Sequence, residues 1–185
     1  MKIVEKIKKC SVWKWNLYSL KLEWKKWEYV VVSKNDKFWQ INGTVSIVKD
    51  KSNNFALIRN YRHAIDNLSY EFVRWWLEKW LTLEKNALIE SKEELLIDKV
   101  PIKIEKIWVI SPDDGVIWDK VALVLIEYED LSKFDVYGKK DGSYEDIYEI
   151  KLVSLEELEK MIINWEIIDV FTISAYWILK ANKII

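Results

Sequence analysis

The sequence predicts an α+β domain in which strands come first and helices last. Residues 17–32 contain alternating and β-branched stretches that predict strands, and INGTVSIV and FALIRNY predict two more. The segment Leu83–Leu96 has helix-forming residues without glycine or proline, so it predicts a helix. Strand-like apolar runs follow at 102–110 and 121–128. This order of strands, helix, strands and helices is typical of a sandwich of helices and sheet.

The C-terminal third predicts one strand and two helices. IYEIKLV reads as a strand, and the next helix begins with Ser154 as its N-cap and Glu157 three residues later, which is a capping box. The last helix is predicted at about Ile168–Lys180. Between the two apolar runs, the turn SPDDGV contains Asp113 and Asp114, which are expected to form the turn instead of binding a ligand.

Composition and charge exclude several classes of function. The net charge is −1, which gives no electrostatic argument for nucleic-acid binding. No apolar run approaches the ~18 residues of a membrane span, and the start MKIVEKIKK lacks the apolar region of a signal peptide. Cys10 is the one cysteine, which suits a reducing cytoplasm, and the one histidine, His63, is expected to be a surface residue.

A cluster of glutamates on the first predicted helix is a candidate metal site. Each helical residue advances by about 100°, so Glu90, Glu93 and Glu94 fall within an arc of about 100°. Like charges at this spacing repel, and a hard divalent cation would turn the repulsion into coordination. From spacing alone the alternative is a solvated acidic face that Lys85 and Lys92 balance.

The tryptophan and glycine counts are unusual. The chain has 12 tryptophans and 4 glycines, whereas average usage gives about 13 glycines for this length. Three tryptophans, Trp75, Trp76 and Trp80, lie just before the acidic helix. This pattern suggests that tryptophan stands at positions where glycine is expected.

When these three tryptophans are replaced by glycine, EFVRWWLEKWLTLEKNALIESKEELLI resembles the Nudix hydrolase box, G-x5-E-x7-R-E-U-x-E-E-x-G-U, in which U is a bulky apolar residue. The first glycine, the three later glutamates and the last apolar position fall on Trp75, Glu90, Glu93, Glu94 and Ile97. The flanks FALIRNYRHAIDNLSYEF, KIWVISPDDGVI and NWEIIDVFTISAYWILK resemble the ADP-ribose pyrophosphatase-like members. The resemblance covers about residues 16–181.

The resemblance implies a Nudix α/β/α sandwich with a mixed sheet. It also implies Mg²⁺-dependent cleavage, with Mn²⁺ as a substitute, of the pyrophosphate in a nucleoside diphosphate linked to another moiety, such as ADP-ribose or a nucleotide sugar. Glu90, Glu93 and Glu94 would hold the metal. The expected catalytic residues are Glu94, Glu145 and Glu78, the expected substrate-binding residues are Arg59 and Arg62, and the box loop contains Trp75, Trp76 and Trp80. From the residues alone, Glu145 is equally a solvated loop charge, and both arginines equally the outward face of a strand end.

The resemblance also implies a division of the chain and a partner. Residues 1–40 are expected to be an N-terminal β extension that pairs subunits of a homodimer, and residues 41–185 the Nudix domain. The expected partners are a nucleotide-derived small molecule and a second copy, with neither nucleic acid nor membrane.

Two departures from the box leave an alternative open. Ile89 stands at the box arginine and Leu81 at the first box glutamate. The alternative is therefore a catalytically impaired Nudix-fold protein that binds nucleotide without turnover. A third interpretation is a tryptophan-rich interaction protein.

One hypothesis for the tryptophans concerns translation. Some lineages read UGA as glycine, and translation of such a gene with another code would place tryptophan at glycine positions. Glycine is used where φ is positive or backbones approach closely, so we expect strain at these tryptophans. The first candidates are Trp75, Trp76, Trp80, Trp108 and Trp165, followed by Trp13, Trp15, Trp24, Trp27, Trp118 and Trp177, and Trp39 is undecided.

Overall fold

The computed structural model describes residues 2–34, 40–132 and 146–185. Its strands are β1 (Ile3–Val12), β2 (Trp15–Leu22), β3 (Glu28–Ser33), β4 (Ile41–Asp50), β5 (Asn54–Arg62), β6 (Asn67–Glu71), β7 (Val73–Trp76), β8 (Lys103–Ile110), β9 (Lys120–Tyr128) and β10 (Ile147–Ser154). Its helices are α1 (Leu83–Leu95), α2 (Leu155–Ile163) and α3 (Val170–Ala181).

The chain forms two compact units. The first consists of residues 1–42 and 109–121, and the second of residues 43–108 and 122–185. Across the described parts of the chain, none of the helices is both long and apolar enough to cross a membrane.

The first unit contains the expected N-terminal antiparallel sheet, in the order β1-β2-β3. One face of this sheet is apolar, since Tyr18, Leu20 and Val31 are buried together. Every residue of β1 is exposed. The sequence did not predict β1, because a strand that buries neither face shows no hydrophobic alternation.

The larger sheet is mixed and contains seven strands within the described ranges. Its order is β10-β5-β4-β9-β8, with β6 paired to β5 and β7 paired to β4. The residues Asn42–Asp50 are all buried, so both faces of this central strand are covered.

Helices cover the two faces, which confirms the expected α+β sandwich. On one face, the Ser46 hydroxyl of β4 donates to the carbonyl of Ala87 in α1 (3.0 Å). On the other face, Lys151 of β10 forms an ion pair with Glu157 of α2 (2.8 Å). The strand registers place Ser46 and Lys151 on opposite faces.

The N-cap of α2 is the predicted residue, but only one of the two hydrogen bonds of the predicted capping box forms. The Ser154 hydroxyl accepts the amide of Glu157 (3.2 Å), as expected of an N-cap. The Glu157 carboxylate forms an ion pair with Lys151, whereas a capping box would return it to the amide of Ser154. Asp113 is a turn former as predicted, because its carboxylate accepts the amides of Gly115 (2.7 Å) and Val116 (3.1 Å).

Among the described residues, positive φ is present at three tryptophans and absent at four of the first five candidates. Trp39 lies outside these residues. Trp13, Trp24 and Trp165 have φ angles of 51°, 70° and 65°. The tryptophans 75, 76, 80 and 108 are not among the residues with positive φ, and the first two of these lie in β7, an extended strand. Positive φ is therefore wrong as the reason for glycine at those four positions. Close backbone approach there stays a prediction.

Trp165 occupies a position that glycine usually fills at the end of a helix. The amide of Trp165 donates to the carbonyl of Ile162 (3.3 Å), and the amide of Glu166 donates to the carbonyl of Met161 (2.9 Å). This pair of bonds is the Schellman motif, whose left-handed residue is most often glycine because a side chain costs energy there. The indole is 82% exposed, so little packing compensates.

We predict that Trp165→Gly stabilises the protein by about 1 kcal/mol, because it removes a left-handed strain of about 1–2 kcal/mol and loses little buried surface. Urea unfolding measures the difference. The control is Trp177→Gly, an exposed position inside α3, which should lose about 1 kcal/mol. A loss of stability in both variants would contradict the glycine interpretation at residue 165.

Candidate active site

The candidate site is built on α1, whose buried side is mostly polar. The helix begins at Thr82, whose hydroxyl accepts the amide of Lys85 (3.2 Å) as an N-cap. Its buried residues are Asn86, Ala87, Glu90, Ser91, Glu94 and Leu95. They recur at the spacing of one helix face, yet four of them are polar. A buried polar stripe is informative in a way that an exposed one is not.

Two of the three predicted metal ligands are buried. Glu90 is 7% exposed and Glu94 is 3% exposed, and at four residues apart they lie on the same side of α1. Glu93 is exposed. The solvated acidic face, the alternative interpretation of this helix, is therefore wrong for Glu90 and Glu94.

Only two of the three predicted carboxylates fit a divalent cation. Within residues 2–34, 40–132 and 146–185, no three or more His, Cys, Asp or Glu side chains group closely enough to hold a metal ion. Mg²⁺ often takes one or two carboxylates and completes its shell with water and substrate phosphates. Glu90 and Glu94 match that smaller set, while Glu93 as a ligand stays a prediction.

A buried amide fixes the loop that leads into α1. The side chain of Asn86 is fully buried; its Oδ1 accepts the amide of Glu78 (3.0 Å), and its Nδ2 donates to the Thr44 hydroxyl of β4 (3.0 Å). The amide of Leu81 closes a turn onto the carbonyl of Glu78 (3.2 Å). The carboxylate of Glu78, a predicted catalytic group, belongs to an exposed residue of this loop.

The tryptophans of the predicted box loop differ in their surroundings. Trp75 and Trp76 lie in β7 opposite Thr44 and Gly43 of β4, and both are partly buried. Trp80 is 93% exposed. The strand β7 was not predicted, because the sequence reading assigned these residues to the loop.

The two predicted substrate-binding arginines lie on opposite faces of β5. They are three residues apart in one strand, so their side chains point to opposite sides of the sheet. Arg59 stacks over the ring of Tyr70 (5.3 Å from the guanidinium carbon to the centroid) and lies 3.7 Å from Glu149. The structure does not bring Arg59 and Arg62 together, and substrate binding by either stays a prediction.

Arg62 takes part in an ionic network that the sequence did not reveal. Its guanidinium forms two hydrogen bonds to Glu71, one of them Nε to Oε2 at 3.0 Å. Glu71 is fully buried. Arg74 lies 3.6 Å from Glu71 and 3.4 Å from Asp169, the N-cap of α3. Asp169 accepts both the amide (2.9 Å) and the hydroxyl (2.8 Å) of Thr172. The network thus ties β5, the β6–β7 segment and α3 together just before the candidate site.

Burial raises the pKa of Glu71 above its ordinary value of 4.5, although the guanidinium groups of Arg62 and Arg74 act in the opposite direction. Loss of water around a carboxylate disfavours its charged form, and nearby cations favour it. For Glu71 the loss of water is the larger effect.

Other predicted site residues have simpler placements. Glu145 lies outside the described residues. Ile89, at the position of the box arginine, is 40% exposed. His63 is exposed, as expected, and its Nε2 lies 3.1 Å from Asp146. Leu96, at the later box glycine, has a φ of 58° and ends α1 in the left-handed conformation, which is consistent with a glycine position.

Comparison with known proteins supports the fold. The chain is similar to the crystal structure of an ADP compounds hydrolase, with 14% sequence identity and a TM-score of 0.71. The similarity covers 97% of this chain and 92% of that chain. No protein-family profile matches the sequence, and no curated protein matches it significantly. The similarity therefore establishes a shared fold at a sequence identity too low to transfer an activity by itself.

We predict that Glu71 makes the stability of the protein fall with rising pH. A raised folded pKa means that the folded state binds more protons than the unfolded state from pH 4.5 upward. The free energy of unfolding of the wild type minus that of Glu71→Gln should therefore decrease as pH rises above 4.5, by about 1.4 kcal/mol for each pH unit that separates the unfolded pKa from the folded one. Urea titrations at several pH values measure this difference. An increase with pH would show that the two guanidinium groups outweigh burial.

Proposed function

We propose that the protein is a Mg²⁺-dependent hydrolase that cleaves the pyrophosphate of a nucleoside diphosphate linked to another moiety, such as ADP-ribose or a nucleotide sugar. The observation that carries this proposal is the buried pair Glu90 and Glu94 on one side of α1. The pair lies in a chain that shares its fold with an ADP compounds hydrolase. The Nudix box resemblance assigns the same two residues to metal binding.

In this proposal the chain supplies carboxylates and the substrate supplies phosphates. Glu90 and Glu94 would hold Mg²⁺ or Mn²⁺, and water and substrate phosphates would complete the ligand shell. The exposed Glu93 is a further ligand by the box resemblance only. A cation held there would supply charge neutralisation for the pyrophosphate and activation of a water for attack at phosphorus. The water oxygen bonds to phosphorus as the bridging P–O bond breaks, which yields two phosphate monoesters. Glu145 or Glu78 takes the proton of the water.

The two predicted substrate-binding arginines are expected to differ in their contribution to substrate affinity. Arg62 is held by Glu71, and its side chain is about one third exposed. The guanidinium is therefore already oriented, and the part that does not face Glu71 is open to a phosphate oxygen. Arg59 lies on the other face of β5. We therefore expect Arg62 to contribute more to substrate affinity than Arg59.

The proposal extends to assembly and location. Residues 1–40 form the extension that pairs two copies in a homodimer, residues 41–185 form the hydrolase domain, and the protein works in the cytoplasm. The fully exposed β1 supports the first point, because a ten-residue strand that buries neither face within its own chain has surface left for a partner.

A second candidate is a protein of the same fold that binds nucleotide without turnover. The absence of the box arginine at Ile89 and of the first box glutamate at Leu81 favours it. In the structure, Ile89 is 40% exposed, and its apolar side chain cannot orient the carboxylates through an ion pair.

We predict that Glu94→Gln lowers kcat for ADP-ribose hydrolysis with Mg²⁺ by about 100-fold or more, because a neutral amide is a poor ligand for a hard cation. Steady-state release of AMP measures the rate. Glu84→Gln is the control, since Glu84 lies in the first turn of the same helix and off its buried side. It should stay within about twofold of wild type. Equal rates for wild type and Glu94→Gln would contradict the proposed function.

We predict that Ile89→Arg distinguishes the two candidates. If the chain is impaired because the box arginine is missing, the substitution raises kcat by about tenfold or more through better orientation of the carboxylates. If the wild type is already active, the substitution changes kcat by less than about threefold. Position 89 is partly exposed, so an arginine fits without a buried charge. The same steady-state assay gives the answer.

A further inference from the structure

We propose that Asn86 is a positioning residue that, with Thr44, fixes the loop Leu77–Thr82 against β4. The inference rests on the proposed function for its effect on rate, and on the structure alone for its effect on the loop. Nothing in the box resemblance assigns a role to either residue. Both lie in the second compact unit, as does the whole loop.

The hydrogen bonds leave one orientation for the Asn86 amide. A backbone N–H can only donate, so the atom that faces the amide of Glu78 at 3.0 Å must be the side-chain oxygen. The side-chain nitrogen then faces the Thr44 hydroxyl at 3.0 Å and donates to it. Each contact of Asn86 therefore has a fixed direction, and the amide cannot flip without the loss of both bonds.

The burial of Asn86 makes these bonds expensive to lose. The residue is fully buried and Thr44 is 1% exposed, so water cannot replace a missing partner at low cost. The loop itself is secured mainly by local bonds, from Leu81 to Glu78 and from Lys85 to Thr82. Asn86 adds a link from the backbone of Glu78 to a strand of the central sheet.

This link matters because the loop connects two parts of the proposed site. Glu78 is a proposed proton acceptor on the loop, and Glu90 follows Asn86 by one helical turn, which puts both on the same side of α1. A change in loop position moves Glu78 relative to the carboxylates. A misplacement of about 1 Å can reduce a rate by as much as 100-fold.

Four variants separate loop positioning from plain stability. Thr44→Val and Asn86→Leu remove the link and keep similar side-chain volume. Ser46→Ala is the matched control, because the Ser46 hydroxyl also joins β4 to α1, through the carbonyl of Ala87 (3.0 Å), without a bond to the loop. Thr44→Ser keeps the hydroxyl and serves as the conservative rescue.

The first measurement is amide hydrogen exchange of the full chain. We expect exchange at Glu78 and its loop neighbours to become about tenfold faster in Thr44→Val and Asn86→Leu. It should stay within about twofold of wild type in Ser46→Ala and Thr44→Ser. Equal acceleration in Ser46→Ala would overturn the proposal, and so would unchanged exchange in Thr44→Val. If Asn86→Leu does not fold, Thr44→Val decides alone.

The second measurement is the split between kcat and KM for ADP-ribose hydrolysis. We expect kcat to fall about tenfold in Thr44→Val with KM within about twofold, and wild-type constants in Ser46→Ala. A loss of thermal stability with unchanged kcat would reduce Asn86 to a structural residue and overturn the positioning role. A wild type without any hydrolysis would refute the proposed function and leave the exchange result to decide the loop inference.

Discussion

The attachment of α1 to the central sheet through a polar face is the constraint on which the candidate site depends. A helix in a sandwich normally buries an apolar stripe, whereas α1 buries Asn86, Glu90, Ser91 and Glu94. Burial of amides and carboxylates costs free energy unless each group is bonded. The fully buried Asn86 meets this condition through Thr44 and Glu78. A polar buried face makes the protein less stable than an apolar one would. A functional site that needs carboxylates in fixed positions, largely shielded from water, is a reason to keep it.

A network of charged groups that precedes α1 in the chain has a similar effect. The buried Glu71 is matched by Arg62 and Arg74, and Asp169 connects Arg74 to the start of α3. Removal of one member would leave an uncompensated charge in the interior, which is more costly than the pair itself is stabilising. The network therefore fixes the β6–β7 segment, and Asn86 fixes the next loop. The ionic network fixes the chain before β7, and the Asn86 hydrogen bonds fix it after β7. Together they leave α1 one way to pack on the sheet.

The sequence predicted the parts of the fold that have local signals. The helix α1, the N-cap Ser154 and the strands with clear apolar runs, β4, β5 and β9, are all present. The strands β1 and β7 could not be predicted, because β1 buries nothing and β7 lies within the box resemblance, which reads as loop. Glu90 and Glu94 were predicted from their helical spacing and from the box resemblance, and their burial shows that they are not surface charges. The Asn86–Thr44 bond spans 42 residues, and no local pattern signals a contact of that range.

The central claim is that Glu90 and Glu94 form a cation site that is completed by the phosphates of a nucleoside diphosphate. Calorimetric titration of Mg²⁺ into the protein tests it most directly, in the presence and absence of ADP-ribose with a non-hydrolysable methylene bridge. The account predicts cation binding that requires the nucleotide, is lost in Glu90→Gln and Glu94→Gln, and is kept in Glu84→Gln. Binding that is equal in all four proteins, or that is absent from the wild type with the nucleotide bound, would contradict the account.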